Sequence, residues 1–365
     1  MKIVIDARES GTTTGRYVDK LVENLHQHKP PFEVVVLTKS PRIEYFKAVA
    51  PNFKVIRSDY KEFTFSEQLG LAWQIYKLRP DLVHFANTNQ PILYFGKTVT
   101  TIHDLTTARF TNPAKSWLAF KAKQLVYKTV VNIVVRKSKA LLVPTNFVKE
   151  DVAQYTRIKP GKITVTYEAA DKIADTPQPV KSLKPGSFMM YVGRPLPHKN
   201  LERLVEAYQL LKHSHPELQL ALVGKNDALF EKIKQKVTKE QIKGVVFTGF
   251  VSEAQLRWLY ENTSAYVFPS LSEGFGLPGL EAMAHGAPVV SSNSTCLPEV
   301  YGSAALYFDP LDVSDMEIKI HEVLTDEALR QRLIKSGYTQ TKKYSWQAMA
   351  KKTLQIYTQI AQKNR

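Results

Sequence analysis

Two glutamates eight residues apart, Glu273 and Glu281, flank the turn Gly274-Phe-Gly-Leu-Pro-Gly279. A carboxylate is a poor phosphate ligand and a good acceptor for sugar hydroxyls. Glycines let backbone approach a ligand closely, and the N–H groups that open a helix favour an anion. Carboxylates on both sides of such a turn suit a ligand with phosphates in the middle and polyol at each end, a nucleotide sugar. A glycine-bearing turn between two solvated glutamates would give the same spacing. Two cations, Arg194 and Lys199, sit in Gly193-Arg-Pro-Leu-Pro-His-Lys-Asn200 and complement a diphosphate. Loop cations are more often simply solvated. His103, in Thr101-Ile-His-Asp104, is placed to donate to a sugar hydroxyl or to developing charge, although most such histidines are structural.

These residues need elements that hold them at one edge. Ala265–Ser270 reads as a buried strand before the glycine turn, and Ala282–Gly286 as a helix ended by glycine. Phe188–Val192 is a strand feeding the Arg194/Lys199 loop, with a helix from Leu201 to Lys212; Lys97–Ile102 is a strand feeding His103. Lys2–Asp6 is a first strand, followed by the Gly11–Gly15 loop and a helix with apolar residues at 17, 18, 21, 22 and 25. That loop lacks the G-x-G-x-x-G spacing of a dinucleotide fingerprint. Further apolar runs at 32–37, 53–56, 80–85, 140–145, 163–171, 218–224, 245–250, 288–292 and 304–309 alternate with helical patterns, among them Ser66–Leu78 and Val313–Gln362. Such alternation implies an α/β fold with parallel sheets covered on both faces, and ligands at the strands' carboxyl ends. Thr145 and Ser252-Glu-Ala-Gln255 read as helix caps. Phe250 and Val251, after a strand, are weak base-pocket candidates, since such apolar residues are usually core. Prolines at 177, 179 and 185 without periodicity mark 172–186 as an interdomain linker.

The ordered set E-x7-E after F-P-S, then E-A-M-A-x-G and P-V-V, resembles the retaining glycosyltransferases of the GT-B fold, in particular the large family four. The resemblance runs along nearly the whole chain and is most specific between 188 and 309. It implies two Rossmann-like domains facing a cleft: 1–171, completed by a crossing helix at 346–365, and 187–345, which holds the nucleotide sugar. It further implies that Glu273 contacts hydroxyls of the donor sugar and Glu281 the ribose. The amides of Phe275, Gly276 and Leu277 would face sugar and diphosphate, and Arg194 and Lys199 the diphosphate. His103 would act near the donor sugar. Gly15 alone keeps the family's glycine pattern in the first loop, where Thr13-Thr14 replaces a glycine pair. No D-x-D sequence occurs, so the resemblance implies metal-independent chemistry, with no cofactor beyond the donor. The run Y-V-G-R-P-x-P-H-K-N looks most like transferases of mannose from GDP-mannose; UDP-glucose and UDP-N-acetylglucosamine stay open. A nucleotide-sugar epimerase of the same fold would not share E-x7-E in this context.

A length of 365 residues fits two domains. One cysteine, Cys296, excludes an internal disulfide, and Met1–Asp6 is too short for a signal peptide core. Residues 1–168 carry 26 Lys+Arg against 14 Asp+Glu, and the remainder 24 against 20, so the first half holds most of the +16 charge. From Arg109 to Lys149 nine Lys/Arg stand without an acid, beside Trp117, Phe120 and Tyr127. With Lys115, Lys121 and Lys123, this suits an anionic membrane surface; a core helix with a basic outer side is the other reading. No zinc-finger, RNP or helix-turn-helix pattern supports nucleic acid. The expectation is a cytoplasmic enzyme, peripheral on the inner face of the membrane, with a lipid-linked or glycan acceptor.

Overall fold

Parallel strands buried on both faces need near-continuous apolar runs, and this chain forms its strands at such runs. The computed structural model describes residues 1–12, 14–62, 64–110 and 117–362, with only the backbone for 117–123. The described chain divides into two units, Met1–Glu168 with Ser345–Arg365, and Ala169–Tyr344.

In the first unit, β1 (Lys2–Asp6), β2 (Glu33–Thr38), β3 (Lys54–Arg57), β4 (Leu82–Phe85), β5 (Thr98–Thr101), β6 (Ala140–Val143) and β7 (Ile163–Val165) form one sheet in the order β3-β2-β1-β4-β5-β6-β7. All pairs are parallel, with Ile3 opposite both Val34 and Leu82. The second unit repeats the plan with β8 (Phe188–Val192), β9 (Gln219–Val223), β10 (Val245–Gly249), β11 (Ala265–Phe268), β12 (Val289–Ser292) and β13 (Ala305–Phe308), ordered β10-β9-β8-β11-β12-β13. Each sheet thus reverses direction beside its own first strand, between β1 and β4 and between β8 and β11. At such a switch point the loops leaving adjacent strands diverge and leave a crevice.

Helices cover the sheets with the faces their periodicity dictates. Arg16–Gln27 buries Tyr17, Val18, Leu21, Val22 and Leu25. Trp346–Gln362 packs against it and buries Met349, Ala350, Ile356 and Tyr357. Thr145 caps its helix through Val148 N–H, and Ser252 and Gln255 form a reciprocal capping box.

Two expectations are modified. The segment 172–186 is laid along the second unit and is not a free linker. Ile173 N–H donates to His285, Gln178 N–H to Ala254 O and Gly186 N–H to Asn262 O, and Leu183 is buried. Its prolines suit an extended path that borrows hydrogen bonds from its neighbours. The helical stretch at 66–78 opens with π-helical turns, Glu67–Leu71, before the α-helix Ala72–Leu78. Of the basic stretch, Lys115 lies outside the described residues, as do the side chains of Trp117, Phe120, Lys121 and Lys123. Among the described residues no helix is long and apolar enough to cross a membrane.

Candidate active site

In the second unit the chain leaves β8 through Gly193, whose φ of +140° suits glycine, and enters a 3-10 turn at Pro197–Lys199. Asn200, left-handed at φ +60°, is buried and ties the turn down by donating from Nδ2 to the carbonyls of Pro269 (3.1 Å) and Pro310 (2.7 Å). Leu271 N–H donates to His198 O at 2.7 Å, so the loops after β8 and β11 are bonded to each other. That brings Lys199 Nζ within 2.5 Å of Glu273 Oε1, with side chains 18% and 12% exposed. Two of the residues singled out in the sequence, 74 positions apart, are one ion pair.

The Glu273 backbone is fixed on both sides: its N–H donates to Thr295 Oγ1 at 3.2 Å and its carbonyl accepts from Cys296 Sγ at 3.3 Å. Gly276 then turns left-handed at φ +87° and caps the helix Leu277–Ala284. A Cβ there would lie 2.5 Å from the Tyr301 hydroxyl, which donates to Gly276 O at 2.6 Å. Only glycine fits. Phe275 buries its ring edge-on against Tyr344, so its contribution toward a ligand is backbone alone. Glu281 lies further along the helix, with Tyr260 Oη donating to its Oε2 at 3.4 Å. His285 Nδ1–H donates to Glu281 O (2.8 Å) and its Nε2 accepts from Ile173 N–H (3.0 Å), so both ring nitrogens are bonded within the core.

Arg194 is 63% exposed and donates from Nε to Asp227 Oδ2 at 2.8 Å. Asp227 also caps the helix Ala228–Lys239; burial works to raise its carboxyl, but the bond from Arg194, then the Phe230 and Leu229 N–H groups, hold it below the ordinary range. The bond engages Nε, so the two terminal nitrogens of the guanidinium remain a bidentate fork for an anion. Phe250, the weak base-pocket candidate, is 86% exposed beside β10, so the core reading of this position does not hold. Gly249, at φ +70°, ends the strand and carries the chain out of the sheet before it.

In the first unit His103 follows β5. Its Nδ1 lies 3.1 Å from Glu168 Oε1 and its Nε2 2.9 Å from the carbonyl of Ala86, with Tyr17 edge-on at 4.8 Å. Burial would lower its pKa; the hydrogen bond and charge of Glu168, then the Ala86 carbonyl, more than offset this and raise it. Acceptors at both ring nitrogens favour the doubly protonated imidazolium. Neighbouring His84 is held neutral by burial and by His103, its pKa lowered to about 3, between Tyr357 and Thr101 hydroxyls.

Gly15 sits where no side chain fits, since a Cβ would lie 1.9 Å from the carbonyl oxygen of Glu9. Its N–H is already bonded to Thr12, so close packing, not an open amide, explains the glycine. Near it Arg8, almost fully buried, binds Asp6 with two nitrogens at 2.8 Å and Glu67 at 2.9 Å. Sequence reading missed Glu168, Asp227, Arg8 and Glu67, all of which act through partners far away in the chain.

A family model described as "Glycosyl transferases group 1" matches residues 174–340, and one described as "Glycosyltransferase Family 4" matches 14–172. The chain is 30% identical over 301 residues to the O-antigen chain mannosyltransferase B of Escherichia coli, covering 78% of this chain and 76% of that protein. In fold it resembles sucrose-phosphate synthase from Thermosynechococcus elongatus (TM-score 0.78, 20% identity, 99% of both chains). It also resembles Anabaena HepE, solved with UDP and glucose (TM-score 0.76, 14% identity, 98% of this chain and 100% of that one).

Proposed function

The chain belongs to the group 1, family four glycosyltransferases of GT-B fold, and from that premise we propose that it moves mannose from GDP-mannose to a lipid-linked or glycan acceptor, retaining anomeric configuration. The observation that carries this reading is the Lys199–Glu273 ion pair beside the glycine-opened helix at the second unit's switch point. A buried or half-buried ion pair is costly to break unless both partners are satisfied again. A nucleotide sugar does so: its diphosphate takes Lys199 while its sugar hydroxyls take Glu273. A nucleoside diphosphate alone would release Lys199 and leave Glu273 without its partner. Arg194 and the amides of Phe275, Gly276 and Leu277 share the diphosphate charge, with no metal ion, and Glu281 accepts from the ribose. His103, held as an imidazolium by Glu168 and the Ala86 carbonyl, sets a fixed positive charge near the transferred sugar.

In the step proposed, the bond between the sugar's anomeric carbon and the diphosphate oxygen breaks. The acceptor hydroxyl oxygen bonds to the same face, and its proton passes to the departing phosphate oxygen. Fixed cations at that oxygen stabilise the charge as it develops, which is the largest catalytic contribution expected of such a site. Mannose as the donor sugar is supported by the identity to an O-antigen chain mannosyltransferase. The same likeness, with the basic first half, supports a membrane-borne acceptor and a place on the inner face of the cell membrane.

A thermal-shift screen tests the donor. GDP and GDP-mannose at about 100 times their dissociation constants should each add about 2.7 kcal/mol of stability. Stabilisation by UDP or UDP-sugars and none by GDP would overturn the choice of GDP-mannose.

A further inference from the structure

The helical stretch that opens with Glu67–Leu71 and continues as Ala72–Leu78 has already met its core requirement. Leu71, Ala72 and Ile75 are buried with Val4, Val35, Leu37, Val83, Phe85 and Tyr94. Yet its outer side carries Leu69, Trp73 and Tyr76, preceded by Phe65, at spacings of four, four and three, the interval of one helix face. Phe65 is 88% and Trp73 59% exposed. The loop after β4 adds Leu93 and Phe95, the latter 80% exposed. Loop and helix are one surface: Phe95 N–H donates to Tyr76 Oη (2.8 Å), Ile92 N–H to Gln68 Oε1 (2.8 Å), and the Tyr76 and Tyr94 rings lie 4.8 Å apart. Single exposed apolar side chains are ordinary, but an aromatic-rich patch of six marks an interaction surface.

Its charge is mostly of one sign. Between Gln68 and His103 the chain carries Lys77, Arg79 and Lys97 against one acid, Asp81, which is taken up by the Lys2 N–H and the terminal amine. The carboxylates before it are occupied, Glu67 by buried Arg8 and Glu62 by Lys39. Lys77 Nζ sits 3.3 Å over the Trp73 ring. A second copy of this chain would set these cations against their own kind. An anionic lipid surface complements them, and Trp and Tyr with Lys are the side chains that suit the boundary between headgroup and acyl chain.

We propose that this face, Phe65, Leu69, Trp73 and Tyr76 with Leu93 and Phe95, rimmed by Lys77, Arg79 and Lys97, docks the protein on an anionic bilayer. The proposal rests on the reading of a membrane-borne acceptor, and it moves the point of attachment from the basic helix expected in the sequence to a different element. The test is co-sedimentation of the full chain with phosphatidylcholine vesicles, with and without phosphatidylglycerol, at low and high salt. Binding should need phosphatidylglycerol and fall with salt. Trp73→Ser with Phe95→Ser, and separately Lys77→Glu, should each lower partitioning about tenfold. Lys232→Glu on the second unit should leave it unchanged. Because these side chains are exposed, melting temperature and stabilisation by GDP-mannose should stay at wild-type values, which separates this test from that of the donor. Three results would overturn the proposal. One is wild-type partitioning by both face variants. Another is loss of binding only when Lys115, Lys121 and Lys123 become glutamate. The third is a concentration-dependent dimer that Trp73→Ser dissolves.

Discussion

Lys199→Ala should lower kcat for sugar transfer by about a hundred- to a thousandfold, the scale seen when one fixed donor to a developing oxyanion is removed. The argument starts from position. Asn200 and the His198 carbonyl pin the turn that carries Lys199, so its ammonium is held in place before any ligand arrives and needs no reorganisation during the reaction. The substitution also strips Glu273, 12% exposed, of its partner. Leaving such a group unsatisfied costs about 1–3 kcal/mol of stability. A purely structural lysine would show the same instability, so GDP affinity discriminates. Lys199→Ala should weaken GDP, whose diphosphate the ammonium takes, as well as GDP-mannose. Unchanged GDP binding in Lys199→Ala would mean that Lys199 serves only to hold Glu273.

His103→Ala should cost about a hundredfold or more in kcat, the scale of one fixed charge removed from a site where charge develops. Its signature lies in pH. Wild-type activity should persist above the ordinary histidine range near ~6.5 and fall as pH passes the raised pKa. Glu168→Gln keeps the shape of the contact and removes its charge, so the alkaline limb should move to lower pH. Stability follows the same sign. With the folded pKa raised, the contribution of His103 is complete below the unfolded value near ~6.5 and is lost as pH rises through the folded one. A pH–rate profile at saturating donor, with melting curves across the same range, checks both. An unmoved alkaline limb in Glu168→Gln would remove Glu168 from the account as a positioning residue.

What the sequence made legible was local. Val34–Leu37, Phe188–Tyr191, Leu220–Val223 and Ala265–Phe268 are buried on both faces, so burial writes each as an unbroken apolar run. Thr145 and Ser252 cap helices through bonds three residues away. Loops at the switch points could be placed because they follow directly on such strands. Pairings were not legible, because no period connects their members. Glu168 meets His103 across 65 positions and Glu67 meets Arg8 across 59. Asp227 caps its helix through neighbouring N–H groups and also holds Arg194, 33 positions away, which no local pattern shows. Phe250 follows an apolar strand, where core is the commoner fate and a base pocket the other reading; the left-handed turn at Gly249 turns the chain out before it and leaves the ring exposed. Gly15 could be seen as required without showing whether a ligand or its own chain required it.

The central claim is that Glu281 and Glu273 bind different ends of one nucleotide sugar, and calorimetric titration of GDP and GDP-mannose into wild type, Glu281→Gln and Glu273→Gln tests it most directly. Glu281→Gln should weaken both ligands alike, by about 1.5–3 kcal/mol, since both carry the ribose. Glu273→Gln should weaken GDP-mannose by a similar amount and leave GDP unchanged or tighter, because Lys199 is released from its pair. Equal losses of both ligands in the two variants would contradict the assignment.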